Sequence, residues 1–230
     1  MDVYPGLNAF APAFGEVTKG GVEQNFQKIF IDDDKVATGG PYYGIGDEIQ
    51  VYDSASGMYD IYYVFVNGSS PRNYTWYYFD DEEIEAPITV KQGFWYDSKN
   101  ASIVEMTVAG EVNLAATTKV NIKTGLNLIG FTYPTEFDVN KDVKWKNSDA
   151  IGGPYYGIGD EIQVYNSATG MYDIYYMFIN GSSARNYTWY YFDDEEIEFP
   201  IPAVKGFWYD HKGTGFELEF VRPFNVDDVE

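Results

Sequence analysis

Apolar and polar residues alternate through much of the chain. Ile49 and Val51 fall on one side of an extended segment, with Gln50 and Tyr52 on the other. Tyr59, Ile61, Tyr63 and Phe65 alternate with Asp60, Tyr62, Val64 and Val66, and Tyr74, Trp76 and Tyr78 alternate again. Successive side chains of an extended chain point to opposite faces, so a period of two predicts half-buried β-strands. Turn formers punctuate these runs: DSASG at 53–57 and Asn67-Gly68, the composition expected between antiparallel neighbours. The same pattern predicts strands at Gly93–Tyr96, Ile103–Val108, Val120–Ile122 and Leu126–Tyr133. No segment carries a long apolar stripe at 3.6-residue spacing. Val139–Trp145 and Val22–Phe30 hold at most a short helical turn.

The pattern occurs twice. Gly39 to Asp97 and Gly152 to Asp210 align without a gap, and roughly five residues in six are identical. Gly6-Leu7-Asn8 followed by AFAPAF matches Gly125-Leu126-Asn127 followed by LIGFTY, and Ser102–Val108 corresponds to Gly215–Val221. A period of roughly 110 residues is too long for a solenoid and normal for a small domain. The reading is an all-β chain of two tandem, duplicated β-sandwich domains, residues 1–109 and 110–230, the boundary falling near Ala109-Gly110.

Composition then narrows the function classes. The 230 residues include 36 acidic and 15 basic side chains, a net charge of −21, no cysteine and one histidine. Without cysteine there is no disulfide framework, thiolate cluster or thiol nucleophile. The charge repels nucleic acid backbones and anionic lipid heads, and no run reaches the roughly 18 to 20 apolar residues of a membrane span. The first residues, MDVYP, have neither a basic nor an apolar signal region. Two readings fit, a cytosolic protein or an exported one whose signal has been removed; the absence of cysteine and scarce lysine with abundant Tyr, Asn, Gly and Thr favour export.

GLNLIGFTYP at Gly125–Pro134, GDEIQVY at Gly159–Tyr165 and GFWYD at Gly206–Asp210 together resemble the tandem β-sandwich repeats of secreted bacterial surface proteins. There a GxNLIGxPYP strand, a GDxIQxW/Y strand and a GFWY strand follow in that order. The resemblance covers most of the second unit. It covers less of the first, where AFAPAF stands in the LIGFTYP position. It implies an extracellular or cell-surface location and a non-catalytic structural or adhesive role, and it brings no active site.

Three residue sets are candidates for chemistry. The acidic run Asp80-Asp81-Glu82-Glu83, its copy Asp193-Asp194-Glu195-Glu196, and the loop acids Asp47 and Asp160 offer the oxygen ligands that calcium takes, though none has the spacing of an EF-hand loop. Solvated acidic loops are the plainer reading. The same acids as a glycosidase pair would need two carboxyls facing across a sugar, which four acids in a row do not provide. The aromatic set Tyr42, Tyr43, Tyr62, Tyr74, Trp76 and Tyr77, repeated as Tyr155, Tyr156, Tyr175, Tyr187, Trp189 and Tyr190, exceeds what a core of this size buries. The surplus would meet protein or stack on surface glycans, and the plainer alternative is a sheet covered on both faces. His211, whose counterpart is Ser98, reads as an exposed loop residue. Sequons at Asn67, Asn73, Asn100, Asn180 and Asn186 are open to glycan attachment where a host provides it.

The two units are also trimmed differently. A strand is expected at Glu111–Ala116 with no counterpart before the first unit, and the tail beyond Val221, including Phe224 and Val226, extends past the repeat. An unpaired sheet edge is a template for another chain. The expectation is therefore a non-enzymatic structural protein that self-assembles head-to-tail into a filament, tube or layer, by strand addition and with calcium as the cation. The alternative is a glycan-binding adhesin module.

Overall fold

The computed structural model describes residues 2–11, 13, 18–19, 22–23, 37–70, 73–80, 91–106, 112–193 and 200–225. In the first unit the strands are β1 (Asp2–Val3), β2 (Gly6–Phe10), β3 (Thr18–Lys19), β4 (Val22–Glu23), β5 (Glu48–Asp53), β6 (Met58–Phe65), β7 (Thr75–Tyr78), β8 (Phe94–Ser98) and β9 (Val104–Glu105). The second unit has β10 (Thr117–Ile122), β11 (Gly125–Gly130), β12 (Phe137–Asp138), β13 (Glu161–Asn166), β14 (Met171–Phe178), β15 (Thr188–Tyr191), β16 (Pro200–Ile201), β17 (Gly206–His211) and β18 (Phe216–Val221). Among the described residues there is no α-helix, only a 3-10 turn at Trp145–Asn147.

The period-two segments pair as expected. Each unit is built on a five-stranded antiparallel sheet, in the order β2-β8-β5-β6-β7 and again β11-β17-β13-β14-β15. In the second unit a six-residue pairing of β10 with β18 covers one face. Val120, Ile122, Leu218 and Phe220 from that pair meet Ile162, Val164, Tyr175, Met177, Trp189, Phe207 and Tyr209 from the large sheet in one core. In the first unit Val3 and Met106 sit over Ile49, Val51, Tyr62, Val64, Trp76, Phe94 and Tyr96. The inward residues are those the alternation placed on one side. The architecture is all-β, with two sandwich-like units.

One expectation about the ends changes. Glu111–Ala116 forms no strand over its described residues, 112–116; pairing starts at Thr117. Val112–Ala116 is instead held by its carbonyls: Tyr133 Oη donates to Ala115 O at 2.8 Å, and Arg222 donates from its main chain to Ala116 O at 3.0 Å and from its side chain to Leu114 O. Phe224, expected in a tail that reaches a neighbour, is half-buried. It packs edge-on against Tyr133, ring centroids 6.0 Å apart, on its own unit's core. In the first unit Asp2–Val3 pairs with Val104–Glu105, in the position where Asn121–Ile122 pairs with Phe216–Glu217.

The units are not separate beads. The outer faces of the two large sheets meet at Ala9, Trp95, Leu128 and Trp208, with Tyr52 and Tyr165 packed alongside. Residues at equivalent places in the repeat make equivalent contacts across this seam. Tyr52 lies edge-on to Trp208 at 4.9 Å, and Tyr165 edge-on to Trp95 at 5.1 Å. Phe10 bridges Lys205, and Ile129 bridges Gln92. Two units related by an approximate twofold axis therefore share an aromatic interface.

Candidate functional site

In each unit the turn GGPYYGIGD leads into the central strand of the sheet, β5 or β13. Its backbone is pinched shut by glycine. A Cβ on Gly40 would lie 2.5 Å from Gly46 N, and one on Gly46 would lie 2.6 Å from Val64 O. Gly40 N donates to Val64 O and Val66 N to Gly40 O, both at 2.9 Å, so the start of the turn is laid onto the end of β6. Gly153 does the same with Met177 and Ile179, at 3.0 Å each.

Beneath the turn lies a buried carboxylate. Asp47 Oδ2 accepts from Thr38 N at 2.7 Å and from the Tyr96 hydroxyl at 2.6 Å, and Oδ1 accepts from Lys99 N at 2.5 Å. Burial raises its carboxyl above the usual aspartate range, opposed by those hydrogen bonds, because a low-polarity surrounding disfavours charge. Burial, and then the charge of Asp47, push the Tyr96 phenol upward. In the second unit Asp160 accepts from Ile151 N at 2.8 Å, Tyr209 Oη at 2.5 Å and Lys212 N at 2.8 Å. It gains one more partner, His211 Nδ1 at 2.9 Å.

His211 is thus not an exposed loop residue. Its side chain is fully buried, its other nitrogen is 2.8 Å from Thr214 O, and its ring lies on Phe216 and Tyr209. Asp47 and Asp160 are likewise not open cation ligands, since both are 0% exposed and committed to internal donors. Asp80 and Asp193 are on the surface. Asp81, Glu82, Glu83, Asp194, Glu195 and Glu196 lie outside the described residues, as does Val226. Among the described residues no three acidic or histidine side chains converge as a metal site.

The aromatic candidates divide. Tyr62, Trp76, Tyr175 and Trp189, expected at a contact surface, are core residues with 1% to 4% of their surface exposed. They lie on the inner face of the sheet, where no partner reaches them. Tyr77 and Tyr190 are buried as well. On the outer face of the second unit Arg185 caps Phe178 and Tyr190 at 4.9 and 4.3 Å. Of these candidates the turn residues and Tyr74 stay in solvent: Tyr42 and Tyr155 are each 59% exposed, and Tyr43, Tyr156 and Tyr74 are also open. Two residues missed in the sequence join them in each unit, Ile45 with Phe79 and Ile158 with Phe192, all about half exposed. The rings of Tyr156 and Phe192 are 6.4 Å apart, which links the turn to the end of β15. The signal the sequence held for Phe79 and Phe192 is their place directly after TWYY, at the head of the acidic run.

Each unit therefore exposes the same four side chains, three of them on a turn anchored by a buried aspartate, and in the second unit the fourth is in ring contact with that turn. Two clefts flank the seam, of about 300 and 320 Å³. Equivalent positions line them with different chemistry: Lys91 and Gln92 in one, Val204 and Lys205 in the other. Lys205 is half-buried, and burial lowers its ammonium below the ordinary lysine range.

Comparison of the chain with known protein families, with curated proteins and with solved structures found no match.

Proposed function

We propose that the chain is a non-catalytic structural protein of the cell exterior that associates with copies of itself through its two aromatic turns. The observation that carries this reading is the doubled patch: Tyr42, Tyr43, Ile45 and Phe79 in one unit, Tyr155, Tyr156, Ile158 and Phe192 in the other. Exposed apolar residues gathered on a rigid turn mark interaction sites, whereas scattered ones do not. Tyrosine contributes large flat contact at low entropy cost. The seam offers support for a second copy as the partner, because there two units of this sequence already meet through Tyr and Trp. A molecule with two like patches, each pairing with a like patch on a neighbour, grows into an open chain of molecules. The exterior location rests on the cysteine-free, tyrosine-rich acidic composition and on the resemblance to secreted surface repeats. Tail-to-edge strand addition is replaced in this proposal by patch pairing, since Phe224 is packed on its own unit.

Bivalency makes the test quantitative. Electron microscopy and light scattering of the purified protein are expected to show linear polymers. Tyr42→Ser alone or Tyr155→Ser alone is expected to stop growth at pairs, and the two together to leave monomers with an unchanged thermal transition. Polymers that persist in the double variant contradict the proposal. A double variant that stays monomeric but loses a glycan-array signal that the monomeric wild type gives would establish the adhesin reading instead.

A further inference from the structure

The seam pairs unlike units by size. Position 11 of the first unit corresponds to position 130 of the second. Ala11 packs against Gly130 so closely that a Cβ on Gly130 would lie 1.9 Å from the Ala11 Cβ. Two atoms of that kind cannot approach so near, and neither belongs to a side chain that can swing away. Two first units meeting through this surface would oppose Ala11 to Ala11 and clash. Two second units would oppose glycine to glycine and leave a gap. They would also oppose Leu128 to Leu128, where the actual seam has Ala9 in one of the two equivalent places. Only the unlike combination fills the space.

Backbone contacts tie the same two surfaces together. Ala11 N donates to Val204 O at 2.9 Å and Gly93 N to Leu128 O at 3.0 Å. Cβ atoms at Gly93 and Gly206 would lie 3.0 and 2.6 Å from the carbonyl oxygens of Ile129 and Phe10 on the opposite unit. The duplicated block points to the same place. Its only run of consecutive differences, Thr89-Val90-Lys91-Gln92 against Pro202-Ala203-Val204-Lys205, leads into these contacts, with Lys91 and Val204 supplying the carbonyls that cross the seam.

We infer that this seam is a selective interface for an unlike unit, able to join the first unit of one chain to the second unit of another as well as to close within one chain. Discrimination by a bulge that fits only its matching hole is a steric form of partner specificity, and exchange of an identical element between chains is a low-cost route to oligomers. This surface is separate from the aromatic turns, so the inference stands without the proposal made for them.

The test uses two full-length variants, both in the Tyr42→Ser, Tyr155→Ser background so that pairing through the turns does not contribute. One carries Gly130→Ala and has a clashing internal seam. The other carries Ala11→Gly and has a hole. Exchange between them makes two filled seams, one native and one with the bulge and hole reversed. After joint refolding, native mass spectrometry is expected to show the mixed two-chain species at roughly tenfold excess over either like pair, the scale of one overpacked contact. The variant with both Ala11→Gly and Gly130→Ala in one chain is expected to regain most of the melting temperature that Gly130→Ala loses. A mixture that yields only the species of the separate proteins overturns the inference of exchange. A combined variant that regains nothing overturns the steric selection, even if Gly130→Ala alone fails to fold.

Discussion

Asp47 and Asp160 show how one side chain can organise a surface it never reaches. Each carboxylate receives a main-chain N–H on each oxygen and a tyrosine hydroxyl, which ties the residues before the turn to the end of β8 or β17. An amide cannot replace it, because whichever way it is turned, its NH2 faces a backbone N–H. Asp47→Asn and Asp160→Asn are each expected to cost about 1–3 kcal/mol, the penalty of a buried unsatisfied donor, read as a lower midpoint in urea. His211→Ser, which installs the first unit's residue, is expected to cost about 2 kcal/mol through the lost ring contacts and the cavity left behind. A stability within error of wild type would mean that the histidine merely fills space that Ser98 fills as well. The sequence showed Gly-Asp in two loops and one histidine. It could not show that a tyrosine and a histidine from a strand about 50 residues away close over the acid, so both acids read as surface groups.

At the scale of elements, strand existence and facing were legible, because period-two patterning is written in side chains that one sheet face must bury. Ile49 with Val51, and Tyr62 with Val64, share one face as residues two apart in a strand must, although Tyr62 and Trp76 were expected at a contact surface and are core. Which aromatic residues remain in solvent was not legible. Alternation separates two faces but does not say that part of the outer face packs on the other unit, at Trp95 and Trp208. The turns before β8 and β17 carry a cost the sequence also hides. Lys91 has φ +93° and Val204 has φ +58°, a left-handed backbone that a β-branched residue adopts only under constraint. Here the constraint is the carbonyl each sends across the seam. Val204→Gly is expected to raise the melting temperature, since relief of roughly 1–2 kcal/mol of left-handed strain exceeds the roughly 0.5–1 kcal/mol entropic cost of glycine. A lower melting temperature would show that the valine side chain is needed at the seam.

At the scale of the whole molecule, buried tyrosine and net charge set the response to solution conditions. Burial pushes the Tyr62 phenol up to about 12, and burial first and the Asp160 charge second raise Tyr209. An unfolded tyrosine ionises near 10. Stability from these phenols is therefore fully present below about pH 10 and is lost as pH rises through the folded values. Phenolate absorbance from this buried set should thus appear only with cooperative alkaline unfolding. A single smooth titration of all tyrosines would contradict the buried assignment. The charge of −21 per chain opposes any close approach of two molecules, and salt screens it over about 10 Å at 0.1 M, so association should strengthen as ionic strength rises. The measurement that bears most directly on self-association through the turns is sedimentation velocity of the wild-type chain over a range of concentrations at physiological salt. The account expects a ladder of species that lengthens with concentration. A single monomeric boundary at every concentration would contradict it.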